Sequence, residues 1–211
     1  MMIPDTAQTM MRTEMLRRLR IRLCRLRRSR HHLPMERAWQ PRVSMRRRSI
    51  RLRGHDYSAP GVYFVTVCAN THLFGRVRAR EMILSQFGEI ARDCWTSIPS
   101  HFPRVRLGAF VVMPDHVHGI LMLRDSKTRV SAIGHMRPGS LGTVVRSFKS
   151  AAAYRINSLR GTRIGGIWQR NYFDRIIRSR DELRDVRRYI RDNPARWARN
   201  RVVEIERGVI V

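Results

Sequence analysis

Between Phe110 and Leu123 the chain reads FVVMPDHVHGILML, two β-rich apolar runs parted only by Pro114 and Asp115. So short a connection folds the second run back beside the first, which makes the pair an antiparallel hairpin. Side chains at i and i+2 of an extended strand leave the same face. His116 and His118 therefore project together to one side, while Val117 points the other way into a core. Two imidazoles side by side on a rigid strand make half of a metal site. Eight histidines in 211 residues produce a His-x-His by chance often enough that the pair alone decides nothing.

The flanking sequence supplies the rest of a sheet. After the turn at Pro60-Gly61, Val62, Phe64, Val65 and Val67 form a β-rich run. LSQFGEIARDCWTSIP spaces Leu84, Phe87, Ile90, Ala91, Cys94 and Ile98 as one face of a helix, ended by Pro99 and Pro103. VRLGAFVVM and HVHGILML are the second and third strands. SLGTVVRSFKSAAAYRINSLRG is a helix of about five turns closed by Gly161, and a short fourth strand is expected around Asp174–Arg178. The order β-α-β-β-α-β is that of the α+β, ferredoxin-like antiparallel sheet with helices on one face. An additional C-terminal helix, DELRDVRRYIRDN, is stopped by Pro194.

The net charge of +27 is carried almost wholly by arginine, with Lys127 and Lys149 the only lysines. Such a field calls for a polyanionic partner, most simply nucleic acid, although coding bias also raises arginine content. An anionic membrane is the competing partner, but no run of 18 apolar residues exists to span one. Cys24, Cys68 and Cys94 are odd in number and widely spaced, so neither a zinc ribbon nor a disulfide framework is expected. A reducing, cytoplasmic setting follows, and no apolar signal segment is visible.

Three segments are expected. Residues 1–48 form a basic extension, in which Leu16, Leu19, Leu23 and Leu26 recur among arginines. It reads as an amphipathic helix, as a disordered tail, or as the product of a start codon chosen upstream of Met45. Residues 49–200 form the catalytic domain, and 201–211 a C-terminal tail.

In the last helix Tyr189 and Asn193 are four residues apart and so share a face, beside the apolar stripe Leu183, Val186 and Ile190. Each has a plain reading, a half-buried core aromatic and a helix-ending residue before proline. Combined with the histidines they acquire another. Two imidazoles and one amide oxygen give three ligands to a divalent cation with positions left open. A cation so held polarises a phosphodiester, and a tyrosine can then attack it. Attack leaves a phosphotyrosine and a free 3′-hydroxyl, and the same hydroxyl can reverse the step without ATP.

VVMPDHVHGI resembles the His-hydrophobe-His segment of the HUH single-strand endonucleases. GSLGTVVRSFKSA, IWQRNYFDRIIRSRDELRDVRRYIRDNPARW and RLRGHDYSAPGVYFVTV resemble the REP-associated tyrosine transposases, relatives of the single-tyrosine insertion-sequence transposases. The likeness runs from about Arg46 to about Trp197. It implies a ferredoxin-like catalytic domain that cleaves and rejoins single-stranded DNA beside palindromic (REP-type) hairpins, through a covalent 5′-phosphotyrosine. It also implies His116 and His118 as metal ligands, Asn193 as the third, Tyr189 as nucleophile, and Mg2+ or Mn2+ as the cofactor.

Insertion-sequence relatives work as dimers that exchange the tyrosine helix, whereas the REP-associated group acts as monomers; monomer and homodimer both remain open. The implied location is the bacterial cytoplasm, at the nucleoid. Tyr154 and Tyr172 have no amide at i+4, and Trp168, Tyr172 and Phe173 are expected to pack, with base stacking the lesser alternative. Arg46, Arg47, Arg48, Arg51, Arg53, Lys149 and Arg170 are candidate DNA contacts. The alternative function is a non-catalytic, domesticated DNA-hairpin-binding protein. A replication initiator or relaxase is disfavoured, since those usually carry a helicase or primase region for which 211 residues leave no room.

Overall fold

In the computed structural model, strand β1 (Gly61–Cys68) is hydrogen-bonded on both edges. The structure describes residues 52, 54–125, 139–161 and 166–206, with 200–206 by backbone alone. These fall within the unit Arg48–Val211. The expected extension 1–48 and Arg46, Arg47, Arg48, Arg51 and Arg53 lie outside the described residues.

The elements that follow β1 are β2 (Gly75–Arg78), β3 (Glu81–Leu84), helix α1 (Gln86–Thr96) and the short α2 (Ile98–His101). Then come β4 (Val105–Met113), β5 (His116–Leu123), α3 (Leu141–Arg160), β6 (Phe173–Ile177), α4 (Arg180–Arg191) and α5 (Asn193–Glu206). The main sheet runs β4-β5-β1-β6 and is antiparallel throughout. This is the expected α+β arrangement.

Helices α1, α3 and α4 each start on a serine whose side chain accepts a hydrogen bond from the third helical N–H: Ser85 from Gly88, Ser140 from Thr143, Ser179 from Glu182. Gly161, at φ 67°, closes α3 in the left-handed conformation that a side chain would strain.

Alternation along β1 divides the sheet into two faces. Tyr63, Val65 and Val67 join Val117 and Leu121 of β5 in the larger core, against Trp95 of α1 and Val144, Phe148 and Ile156 of α3. Trp95 lies so close to the sheet that its ring fills the space a Cβ on Gly119 would need. On the other face Phe64, Ile120 and Ile177 meet Val186 and Ile190 of α4. Helix α4 thus covers the face that a minimal ferredoxin-like sheet leaves bare.

Three features depart from the expected walk. Strands β2 and β3 form a separate hairpin, turning at Ala79 and Arg80 with φ of 49° and 68°. Pro99 lies in the first turn of α2 rather than ending all helical structure. Pro194 does follow the end of α4, but it also sits in the first turn of a further helix, α5. Proline is tolerated there because the first N–H groups of a helix have no partner to lose.

Candidate active site

Both histidines project from β5 toward α4. Register pairs His118 with Thr66 and His116 with Cys68 across β1. The two rings lie 4.4 Å apart between centroids. His118 is buried at 4% exposure, with Phe64 and Tyr189 rings 5.3 and 5.4 Å from it. The Tyr189 hydroxyl stands 3.5 Å from His118 Nε2. The structure therefore brings His116, His118 and Tyr189 together.

Each imidazole is held from behind through Nδ1. His118 Nδ1 lies 2.8 Å from the Thr66 hydroxyl, and His116 Nδ1 lies 2.7 Å from Asp115 Oδ1. A carboxylate accepts, so His116 donates through Nδ1, which in the neutral ring leaves the lone pair on Nε2. The same carboxylate reaches His72 Nε2 at 3.3 Å. Burial pushes the Asp115 carboxyl up, but hydrogen bonds from His116 and His72, and their charge, outweigh it and hold the group well below the usual carboxylate range. The backbone secures the turn as well: Ala69 N–H donates to Asp115 O, and Leu73 and Phe74 N–H donate to Pro114 O.

Helix α5 closes the site from the side. The Trp197 ring lies 5.8 Å from His116 and 5.7 Å from His72. The Arg196 guanidinium sits 5.5 Å from the centre of the Tyr189 ring. Arg196 Nε is buried with no hydrogen-bond partner among the described residues. Asn193, the expected third ligand, is buried as the first residue of α5. The residue seen against the His116 ring is Trp197, one turn farther on. Among the described residues no group of three His, Cys, Asp or Glu side chains is placed to hold a metal ion. The donor set nevertheless suits a divalent cation: two adjacent imidazoles, backed through Nδ1 by a carboxylate and a hydroxyl.

Of the expected DNA contacts, Lys149 is half-buried. Its Nζ donates to the carbonyls of Gln169 and Arg170 at 2.7 and 3.2 Å, and burial pulls its pKa down. Arg170 is exposed. Trp168 packs against Phe74 and Phe148 and donates its indole N–H to Lys149 O. Tyr154, which has no amide at i+4, is 70% exposed on α3.

Sequence reasoning missed Asp115, Thr66, His72, Arg196 and Trp197. Asp115 was legible, as the acid directly before the pair. Thr66 was not, because only strand register links position 66 with position 118.

A protein of Haemophilus influenzae described as uncharacterized is 33% identical over 168 residues, which span 74% of this chain and 92% of that protein. The chain belongs to the same family as that protein. A second relative from the same organism, named "Putative REP-associated tyrosine transposase", is 24% identical over 154 residues, or 71% of this chain and 78% of that one. The resemblance drawn from the motifs is thus met by a relative bearing that name. No family model matches the chain. Similar solved structures include a REP-associated tyrosine transposase bound to a REP hairpin, 20% identical with a TM-score of 0.49, covering 69% of this chain and 73% of that one. A transposase-like protein of Deinococcus radiodurans is 21% identical with a TM-score of 0.38, covering 66% and 95%. Among the described residues no helix is long and apolar enough to cross a membrane.

Proposed function

We propose that this chain is a transposase-type enzyme that binds DNA hairpins and cuts and rejoins a single strand beside them. In this reading the Tyr189 oxygen attacks the scissile phosphorus, and the bond to the 3′ oxygen breaks. The products are a 5′-phosphotyrosine and a free 3′-hydroxyl. Attack by that hydroxyl, or by one on another strand, reverses the step and restores a phosphodiester without an external energy source.

The observation that carries the proposal is the meeting of the Tyr189 hydroxyl with His118 Nε2 at 3.5 Å, beside the ring of His116. The relative's name, REP-associated tyrosine transposase, supports the class of reaction and the palindromic target. The charge of +27 supports a nucleic-acid partner.

His116 and His118 would hold Mg2+ or Mn2+ through Nε2, with the Asn193 amide as the proposed third ligand. When bound there, the cation supplies Lewis-acid polarisation of the phosphodiester and stabilises its developing charge. The chain's own groups do the rest. Asp115 and Thr66 orient the two rings, and Phe64 meets the Tyr189 ring edge-on at 5.9 Å and limits its swing. The Arg196 guanidinium places a positive charge beside the nucleophile, where negative charge gathers on the phosphate oxygens.

The test is covalent capture. Wild type mixed with a labelled single-stranded hairpin and Mn2+ should give a protein–DNA adduct that survives denaturing electrophoresis. Tyr189→Phe keeps the ring and removes the oxygen, so the adduct should vanish while hairpin binding persists. An adduct of equal yield from the variant would place the nucleophile elsewhere. Tight, salt-sensitive binding with no adduct at any metal concentration would leave the chain a hairpin-binding protein only.

A further inference from the structure

Trp197 is a large, half-buried ring that belongs to neither apolar core. Aromatic side chains usually serve a core, so one held outside both has another partner to explain. Its ring partners among the described residues are two imidazoles, His72 at 5.7 Å and His116 at 5.8 Å between centroids.

The same two imidazoles share one carboxylate. His116 Nδ1 lies 2.7 Å from Asp115 Oδ1, and His72 Nε2 lies 3.3 Å from Asp115 Oδ2. Trp197 therefore rests against both ends of a row, His72–Asp115–His116. The row has two weaknesses. A single hydrogen bond at Nδ1 fixes one point of the His116 ring and leaves the ring able to pivot about it. At the other end, 48% of the His72 side chain is exposed, so water competes for its N–H and for the carboxylate oxygen it holds. A rigid ring across both imidazoles opposes the pivot of one and the escape of the other. It also limits the access of water to the hydrogen bonds between them, which a drier setting strengthens.

The fold supports Trp197 from two directions. The residue follows Asn193 by one helical turn, so the face of α5 that buries Asn193 also carries the indole. Helix α5 in turn lies against β2 and β3, the hairpin that stands apart from the main sheet. Two elements that the sheet itself does not need thus converge on the helix that bears this ring.

We propose that Trp197 is a positioning residue: it locks the His72–Asp115–His116 row and fixes the His116 ring before a cation arrives. The proposal deepens the reading of His116 as a metal ligand and rests on it. Trp197 acts through the imidazoles and not on the DNA.

The decisive readout is NMR of the full chain, nitrogen-labelled and free of metal and DNA. Wild type should show a His116 Nδ1–H signal that exchanges slowly with water, identified by its loss in His116→Gln. Trp197→Phe keeps a flat ring and should keep the signal. Trp197→Leu keeps only apolar bulk and should lose the signal to fast exchange, with an unchanged melting temperature. Mn2+ affinity, measured by titration calorimetry without DNA, should fall about tenfold in Trp197→Leu and stay near wild type in Trp197→Phe. Equal ring signals in the Leu and Phe variants overturn the proposal. So do equal Mn2+ affinities where wild type binds the ion, and that result leaves the ligand reading standing. A fast-exchanging signal in the wild type overturns it without recourse to any variant. Wild type that binds no Mn2+ removes the ligand reading instead, while the ring signal in metal-free protein still decides what Trp197 does.

Discussion

The Asp115 carboxylate stands between two imidazoles, bonded to His116 Nδ1 at 2.7 Å and to His72 Nε2 at 3.3 Å. Its value to the site lies in direction as much as in charge. With Nδ1 engaged, the His116 lone pair has one place to go, and a cation meeting it finds the ring already oriented. Asp115→Asn keeps the shape and removes the charge. We expect its Mn2+ affinity, measured by titration calorimetry in the absence of DNA, to fall roughly tenfold to a hundredfold, the usual effect of losing such a backing group. Affinity equal to wild type would show that the carboxylate does not act through His116. The pair itself was legible from spacing, because period two on a strand is a local rule. The groups behind it divide. Asp115 is adjacent in sequence and could have been named, whereas Thr66 reaches His118 and His72 reaches Asp115 through pairing and turn contacts that no local pattern encodes. Arg196 and Trp197 were hidden for another reason, lying beyond a proline that reads equally as the end of one helix and the start of the next.

Helix α4 carries the nucleophile, so its attachment decides whether the site stays assembled. Only Arg178 and Ser179 separate β6 from α4. Two contacts bind the junction: Glu182 pairs with Arg175 of β6 at 2.7 Å, and its other oxygen accepts from Arg178 N–H at 2.9 Å. Ser179 Oγ in turn accepts from Glu182 N–H at 3.1 Å and caps the helix. Val186 and Ile190 are buried against Phe64, Ile120 and Ile177. Burial of two aliphatic side chains is worth about 1.5–3 kcal/mol each, more than the roughly 1 kcal/mol of a cap. Glu182→Ala should therefore fray the first turn of α4 without undocking the helix. Hydrogen exchange should quicken at 180–184 and stay slow around Ile190, with global stability down by about 1 kcal/mol. Release of protection along the whole helix would mean the junction, not the apolar face, holds it. The apolar stripe of this helix and the three longest strands, β1, β4 and β5, were plain in the sequence. The β2–β3 hairpin was not: its strands are four residues each, and its turn uses Ala79 and Arg80 at positive φ where glycine or asparagine would have signalled it.

At the scale of the whole molecule the open question is which copy of the chain supplies the tyrosine. The short junction, the apolar docking of α4 and the 3.5 Å approach of Tyr189 to His118 all lie within one chain. Exchange of α4 between two copies would require the two-residue connection to swing outward and both Glu182 interactions at the junction to break. A site complete in one chain makes a specific prediction about mixtures. Tyr189→Phe retains the histidines and lacks the nucleophile; His118→Ala retains the nucleophile and lacks a ligand. Mixed in equal amounts on a labelled hairpin with Mn2+, the two should yield no adduct above the background of either alone. Were the helix exchanged, about half of the mixed dimers' sites, or about a quarter of all sites after random association, would pair an intact tyrosine with intact histidines. Adduct at that level would show a site shared between chains. Its absence, with wild type active at the same concentration, would fix the reaction within a single copy, whose strong positive charge then has to gather the DNA without a partner's help.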